Sequence, residues 1–273
     1  MPPLPLPRRG RGQGEEGWAT ERLFSLEGRT AFVTGASRGL GRAIALALAE
    51  AGAAVACAAR AREQIASAAA AIEAAGGRAQ AIPLDVTSAE GIRAAMTEAE
   101  HALGPIDILV NNAGVTLDKP SLEVTDEEWD AVLVTNLTSM FRCARAVAPG
   151  MIDRKRGKII NVGSMYGVLG VPRYAAYCAS KAAVEGLTRS LAAEWARHGI
   201  QVNCLAPGYM NTDIPRVAMA DPKTRERFLS KIPARRIGEP AEAAALAVYM
   251  ASSAADFLTG QTIYLDGGQT TAW

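Results

Sequence analysis

A tyrosine and a lysine four residues apart carry the side chains best suited to proton transfer in this sequence. Tyr177 and Lys181 lie in the segment Tyr-Cys-Ala-Ser-Lys, and Ser164 precedes the tyrosine by thirteen positions. Apolar residues at three- and four-residue steps after Ala182 predict a helix, on which residues four apart are neighbours. A lysine ammonium at that distance stabilises a phenolate and lowers the tyrosine pKa from its usual value of about 10. We therefore expect a general acid/base pair, although ordinary helix surfaces also show this spacing.

A glycine-rich turn near the start of the chain is the second feature with chemical consequences. An apolar run over residues 31–33 leads into this turn, and a helical pattern follows it directly. Glycines allow a tight turn in which backbone amides approach a pyrophosphate, and the positive end of the following helix attracts the same group. The sequence therefore predicts a dinucleotide-binding turn. Its candidate residues are Gly35, Ser37, Arg38, Gly39, Leu40 and Gly41.

Short apolar runs alternate with longer alanine-rich stretches of helical periodicity along the chain. Strands are predicted at Thr30–Thr34, Ala54–Ala58, Ala79–Pro83, Ile106–Asn111, Lys158–Val162, Gln201–Ala206 and Thr262–Leu265. Helices are predicted at about 39–51, 61–75, 88–102, 126–150, 174–198 and 239–252. Continuously apolar strands that alternate with helices indicate a parallel sheet covered on both faces. The predicted fold class is α/β, with a Rossmann-type doubly wound sheet of about seven strands.

Composition limits the classes of function. The chain has 273 residues, 49% of them hydrophobic, and a formal net charge of +1. A near-neutral balance argues against nucleic acid as a partner, since phosphate-binding surfaces show a basic excess. No apolar run has the length needed to cross a bilayer, so we expect a soluble, cytoplasmic protein. Four cysteines without a Cys-x-x-Cys pair indicate a reducing compartment and argue against a zinc site.

The chain is predicted to form one domain over residues 26–273, because no linker divides that stretch. Residues 1–25 are rich in proline, arginine and glycine, and we interpret them as a disordered N-terminal extension. An organellar transit peptide fits them poorly because of Glu15 and Glu16. Prolines and charges also interrupt the pattern at about 209–236. This insertion follows the sixth strand, so we expect it to act as a lid over a substrate.

The end of the second predicted strand indicates which dinucleotide binds. In dinucleotide-binding folds an acidic residue at this point contacts the adenosine ribose, and its absence leaves room for a 2′-phosphate. This chain has Ala58-Ala59-Arg60 there, with no carboxylate. Arg60 and Arg38 could bind the phosphate by charge-assisted hydrogen bonds, or they could be merely solvated. We predict that NADP(H) is preferred over NAD(H).

Six motifs occur together in the order of a known family. They are Thr34-Gly35-x-x-x-Gly39-x-Gly41, Asn111-Asn112-Ala113-Gly114, Asn136, Ser164, Tyr177-x-x-x-Lys181 and Pro207-Gly208. With these motifs the chain resembles the classical short-chain dehydrogenase/reductase family over essentially everything after residue 25. Within that family it is similar to 3-oxoacyl-[acyl-carrier-protein] reductases and gluconate 5-dehydrogenases.

The resemblance implies four catalytic residues. Tyr177 would protonate a carbonyl oxygen, and Lys181 would lower the tyrosine pKa and hold the nicotinamide ribose. Ser164 would hydrogen-bond the substrate oxygen. Asn136 would help to connect Lys181 through water to solvent, although a buried asparagine with satisfied hydrogen bonds is the plainer interpretation of this residue.

The resemblance also implies further cofactor contacts. Asp85 would contact the adenine, and Thr212 would bind the nicotinamide carboxamide. The remaining implied contacts are Val86, Asn112, Ala113, Gly114, Pro207 and Gly208, together with Tyr177 and Lys181. Plainer interpretations are that Asp85 forms a turn and that Asn112 caps a strand.

The implied activity is NADPH-dependent reduction of a ketone, or the reverse oxidation of a secondary alcohol. A 3-oxoacyl thioester and a sugar acid or polyol are both candidate substrates, and the family commonly forms homotetramers. A hydrolase is disfavoured because Gly163-Ser164-Met165-Tyr166-Gly167 is not a Gly-x-Ser-x-Gly turn. A catalytically silent NADP(H)-sensing protein is the alternative that the sequence leaves open.

Overall fold

Seven parallel strands form the centre of the structure, a computed structural model that describes residues 20–212 and 222–272. Their order across the sheet is β3-β2-β1-β4-β5-β6-β7. They are β1 Thr30–Thr34, β2 Ala54–Ala59, β3 Ala79–Pro83, β4 Ile108–Asn111, β5 Gly157–Val162, β6 Ile200–Pro207 and β7 Thr262–Leu265. The chain moves outward from β1 to β3 and then returns to place β4 on the other side of β1. This reversal opens a crevice at the carboxyl ends of β1 and β4, where open α/β sheets bind ligands.

Helices cover both faces of this sheet. They are α1 Thr20–Phe24, α2 Gly39–Glu50, α3 Arg62–Ala74, α4 Ala89–Leu103, α5 Asp126–Leu133, α6 Ser139–Asp153, α7 Ala175–Trp195, α8 Pro222–Leu229 and α9 Pro240–Ala251. Phe32 and Val33 are both fully buried but point to opposite faces, as neighbours on a strand do. Val33 packs with buried residues of α2, α3 and α9, and Phe32 packs with those of α4, α6 and α7. The predicted doubly wound α/β fold is confirmed.

The predicted strands agree with the observed ones to within two residues at either end. β1, β3 and β7 have the predicted bounds, whereas β4 begins at Ile108 rather than at Ile106. The difference arises at Asp107, whose carboxylate accepts a hydrogen bond from the Thr30 backbone N–H at 3.2 Å. Among the described residues no helix is both long and apolar enough to cross a membrane.

The structure differs from the sequence-based expectation in three helical segments. The helix predicted at 126–150 is interrupted by a π-helical turn, Val134–Thr138, and continues to Asp153. α8 lies within the predicted lid, where no helix was expected. α1 lies within the predicted disordered extension, where Leu23 accepts a hydrogen bond from Ser253 and the Phe24 ring contacts Tyr249. Residues 1–19 of that extension and residues 213–221 of the lid lie outside the described residues.

Candidate active site

The turn after β1 has the backbone geometry of a phosphate-binding loop. Gly35 has φ +68°, and a Cβ added there would lie 2.8 Å from the Asn112 side-chain nitrogen. A Cβ on Gly41 would overlap the Gly35 carbonyl oxygen and the same asparagine nitrogen. Arg38 is the residue before α2, and its side chain does not cap the helix. The first backbone N–H groups of α2 therefore have no capping side chain as an acceptor. The loop therefore requires glycine at both positions and can present amides to an anion.

Thr34 joins this turn to the segment that follows β4. Its hydroxyl accepts hydrogen bonds from the backbone N–H groups of Asn112 at 2.9 Å and Ala113 at 3.0 Å. The Asn112 side chain donates to the Thr34 carbonyl at 3.0 Å. These bonds hold the carboxyl ends of β1 and β4 together. Asn112 therefore caps a strand, as the plainer interpretation of this residue predicted.

A cavity of about 530 Å³ lies at the carboxyl ends of the strands. The predicted cofactor residues that line it are Gly35, Ser37, Arg38, Gly39, Leu40, Gly41, Arg60, Asp85, Val86, Asn112, Ala113, Gly114 and Thr212. The residues on its wall that sequence reasoning missed are Ala59, Ala61, Gln64, Leu84, Thr87, Val115 and Thr135. Most of these are sequence neighbours of predicted residues. Gln64, in the first turn of α3, and Thr135, in the π-helical turn, carried no motif that could have identified them.

Asp85 forms a turn, as the plainer interpretation predicted, and it also lies on the cavity wall. Its carboxylate accepts hydrogen bonds from the Thr87 backbone N–H at 2.9 Å and the Thr87 hydroxyl at 2.8 Å, so it does form a turn. These bonds, and after them the charge of Arg60, hold the pKa of Asp85 below its usual range. The residue also lines the cavity, on which it presents a carboxylate.

The candidate proton-transfer residues meet where β5 ends and α7 begins. Ser164 follows β5, and its hydroxyl accepts a hydrogen bond from the Tyr166 N–H at 3.2 Å. Lys181 is 3% exposed, donates to the Val162 carbonyl at 2.7 Å, and has its ammonium 5.6 Å from the Tyr177 ring centroid. Burial lowers the pKa of Lys181 to about 8. The three residues thus form one group, but they do not line the cavity, and neither do Pro207 and Gly208 at the end of β6.

The pKa of Tyr177 differs from the expectation. Burial raises it above its usual value, and a hydrogen bond with Ser164 acts in the opposite direction but is the smaller effect. The Lys181 ammonium lies beside the tyrosine ring, but it donates its hydrogen bond to the Val162 carbonyl. Tyr177 is therefore protonated at neutral pH, which is the form that can donate a proton.

Asn136 connects the cavity wall to α7, the candidate catalytic helix, which carries Tyr177 and Lys181. It is fully buried in the π-helical turn, where its side chain accepts from the Val115 N–H at 2.8 Å and donates to the Val115 carbonyl at 2.9 Å. It also donates to the Ser180 hydroxyl at 3.0 Å, and Ser180 donates to the Tyr177 carbonyl at 2.7 Å. Sequence reasoning missed Ser180, although a hydroxyl directly before Lys181 was visible.

Comparison with known proteins identifies the family. A family model described as enoyl-(acyl carrier protein) reductase matches residues 35–270. The chain belongs to the short-chain dehydrogenase/reductase family. The resemblance inferred from the sequence motifs is thereby confirmed.

Several oxidoreductases are similar to this short-chain dehydrogenase/reductase. The 3-oxoacyl-[acyl-carrier-protein] reductase of Vibrio harveyi is 43% identical, over 90% of this chain and 98% of the relative. The gluconate 5-dehydrogenase of Gluconobacter oxydans is 41% identical, over 92% of this chain and 98% of the relative. A solved structure of a gluconate 5-dehydrogenase from Burkholderia cenocepacia, in complex with NADP and tartrate, superposes with a TM-score of 0.89. It is 41% identical and covers 93% of this chain and 100% of that one.

In this short-chain dehydrogenase/reductase, two pairs of neighbouring residues connect the cavity with the proton-transfer group. Gly114 and Val115 line the cavity, and the Val115 backbone is held by Asn136. Thr135 lines the cavity directly before Asn136, which contacts Ser180 on the catalytic helix. A ligand that fills the cavity therefore contacts a wall that is hydrogen-bonded to the segment carrying Tyr177.

Proposed function

We propose that the protein is an NADPH-dependent reductase that converts a ketone to a secondary alcohol, with Tyr177 as the proton donor. The observation that carries this proposal is the hydrogen-bonded connection from the cavity wall at Val115 through Asn136 and Ser180 to Tyr177. Through this connection the wall of a cavity that would hold the dinucleotide is hydrogen-bonded to the segment that carries the protonated phenol. The reverse oxidation uses the same groups.

The residues of the cavity fit a nicotinamide dinucleotide. The absence of a Cβ at Gly35 and Gly41 lets the turn pack against Asn112, and the start of α2 offers backbone amides to a pyrophosphate. When bound, NADPH would supply the hydride that is added to the carbonyl carbon. Asp85 would contact the adenosine, and Thr212, which packs against Gly39, would bind the carboxamide.

The protein's own groups would handle the proton. The Ser164 hydroxyl would hydrogen-bond the carbonyl oxygen and polarise it, and the Tyr177 hydroxyl would donate its proton to that oxygen. Lys181 would hold the ribose hydroxyls and replace the tyrosine proton. The Asn136 side chain is fully occupied by Val115 and Ser180, so we propose that it acts by positioning Ser180 and α7.

We propose a preference for NADPH over NADH. Arg38 and Arg60 line the cavity together with Ala59, and β2 ends without a carboxylate that would repel a 2′-phosphate. A guanidinium binds phosphate by paired charge-assisted hydrogen bonds. The Burkholderia cenocepacia relative, whose structure contains NADP, supports the same assignment.

The names of the relatives supply the first substrates to test, namely a 3-oxoacyl thioester and 5-keto-D-gluconate.

We also propose that residues 26–273 form one domain, that about 209–236 acts as the substrate lid, and that the protein is a cytoplasmic homotetramer assembled through α5, α6 and α7. Light scattering that gave a monomer would contradict the assembly. A catalytically silent NADP(H) sensor is the alternative function.

Replacement of Tyr177 by phenylalanine tests the proposed function. Removal of the hydroxyl should lower kcat for ketone reduction by about 10²- to 10⁴-fold, the usual contribution of a positioned acid. NADPH binding, measured by nucleotide fluorescence, should persist. Tyr249→Phe on α9 is the matched control and should retain activity. Full activity in Tyr177→Phe would refute the assigned acid, and bound NADPH without oxidation by any ketone in the wild type would favour the sensor.

A further inference from the structure

An aromatic wall stands beside the proposed proton donor. We use this name for Tyr166, Tyr174, Tyr209 and Phe228. The Tyr166 ring is at the centre, with its centroid 5.4 Å from that of Tyr174, 5.8 Å from that of Tyr177 and 6.3 Å from that of Tyr209. These three rings are inclined to Tyr166 by 76°, 82° and 86°, the edge-to-face geometry that aromatic pairs prefer.

The aromatic wall is attached to the two segments that flank the reacting groups. Tyr166 follows Ser164 by two residues, and Tyr209 follows Gly208. The hydroxyls of Tyr166 and Tyr209 are hydrogen-bonded at 3.0 Å. The centroid of the Phe228 ring, on α8, lies 4.0 Å from the centroid of the Tyr209 ring. All four side chains are only partly buried, so ring surface is still available for a ligand. A ketone bound between Ser164 and Tyr177 therefore has aromatic surface next to its substituents.

Two cations on the loops beside the aromatic wall, Arg173 and Lys119, are each paired with a carboxylate. Asp118 accepts hydrogen bonds from Arg173 at 2.5 Å and from the Tyr174 hydroxyl at 3.1 Å. Lys119, whose backbone N–H donates to the Arg173 carbonyl, pairs with Glu128 at 2.8 Å. Burial, more than any other cause, raises the pKa of Tyr166, so its hydroxyl remains neutral. To bind either of these two loop cations, an anionic substrate would have to displace its carboxylate partner.

We propose that the substrate is an uncharged ketone with an aromatic ring close to its carbonyl group. This inference rests on the proposed ketone reduction and specifies its substrate class. The ring would pack against Tyr166 and Tyr209, where apolar and aromatic surface is removed from water. The hydroxyl pair of these two tyrosines can still exchange a hydrogen bond with a neutral oxygen on the ring. Tyr166 and Tyr209 are thus specificity-determining residues.

Three ketones separate this substrate class from the alternatives. We would compare kcat/KM with NADPH for β-tetralone, an acetoacetyl thioester of N-acetylcysteamine, and 5-keto-D-gluconate. The wild type should prefer β-tetralone over each of the other two by about tenfold or more, since a matched apolar pocket discriminates by about 10- to 200-fold. A preference for either of the other two would refute the proposal that the substrate carries a ring, while the proposed ketone reduction would stand.

Two variants at Tyr166 locate the preference in the aromatic wall. Tyr166→Leu removes the ring and should lower kcat/KM for β-tetralone by about tenfold, mainly through KM. Tyr166→Phe keeps the ring and should remain within about threefold of the wild type. NADPH fluorescence confirms that each variant binds the cofactor. Equal kcat/KM in the leucine and phenylalanine variants would overturn the role of the ring, and no oxidation of NADPH by any ketone would refute the proposed function itself.

Discussion

The hydroxyl of Ser180 is predicted to couple the cavity wall to the catalytic helix. It accepts from Asn136 at 3.0 Å and donates to the Tyr177 carbonyl at 2.7 Å, and it is fully buried. Ser180→Ala removes both bonds and leaves the Asn136 side-chain N–H₂ with Val115 as its remaining partner. Each lost buried bond costs about 1 kcal/mol. Alanine is the better helix former by about 0.5 kcal/mol, so the net loss of unfolding free energy should be about 1.5 kcal/mol.

The assay is thermal unfolding at one fixed protein concentration, because the proposed assembly would make the melting temperature concentration-dependent. For a chain of this size about 1.5 kcal/mol corresponds to a decrease of Tm of about 3–6 °C. Ser190→Ala makes the same change at an exposed position of the same helix and should raise Tm by about 1–2 °C, through helix propensity alone. Activity should fall through kcat, since the variant loosens the segment that holds Tyr177.

A double-mutant cycle tests the coupling itself. Asn136→Ala and Ser180→Ala share one hydrogen bond, so their combined effect should fall short of the sum of the single effects by about 1 kcal/mol. If the two effects add to within about 0.3 kcal/mol, the proposed connection from Val115 to Tyr177 is incorrect.

Three further predictions concern the cofactor and the proton. Arg60→Asp should lower the ratio of kcat/KM with NADPH to kcat/KM with NADH by about 10- to 100-fold, because a charge-assisted contact is lost. Arg62→Asp, at an exposed position, serves as the control. An unchanged ratio would show that Arg60 is merely solvated. Gly41→Ala should abolish NADPH binding because a Cβ there overlaps Gly35 and Asn112, whereas Gly170→Ala, which has open space, should bind normally. The raised pKa of Tyr177 keeps the acid protonated, so ketone reduction should hold its rate across neutral pH while alcohol oxidation, which needs the phenolate, should rise with pH. Oxidation that is fastest at acidic pH would contradict this assignment.

The sequence was sufficient for the fold because the apolar runs have the length and continuity of buried parallel strands. β1, β3 and β7 were predicted to the residue. The π-helical turn at Val134–Thr138 was not predictable from periodicity, since its residues continue the helical pattern and only the i→i+5 spacing of the backbone hydrogen bonds distinguishes it. α1 was missed because five residues carry too little periodicity, and its position depends on contacts with Ser253 and Tyr249, more than two hundred residues away.

The site residues were recognisable from motifs, but their pKa values were not, because a pKa depends on burial and on which acceptor a charge faces. The spacing of Tyr177 and Lys181 placed them on one helix, as observed. It could not show that the ammonium would donate to the Val162 carbonyl. Gln64 and Thr135 line the cavity only because the chain returns to the same sheet edge, which no local pattern encodes.

Burial has opposite consequences for the two halves of the proposed proton transfer. It shifts both Tyr177 and Lys181 toward their neutral forms, with the lysine pKa at about 8 and the phenol protonated. A neutral phenol is ready to donate, but the phenolate left behind needs a positive charge close by, and at pH 7 most of the lysine is still charged. We infer that burial keeps Tyr177 protonated, as the acid for reduction, and that Lys181 stabilises the phenolate once the proton has left. The same two shifts make alcohol oxidation the direction that requires the higher pH.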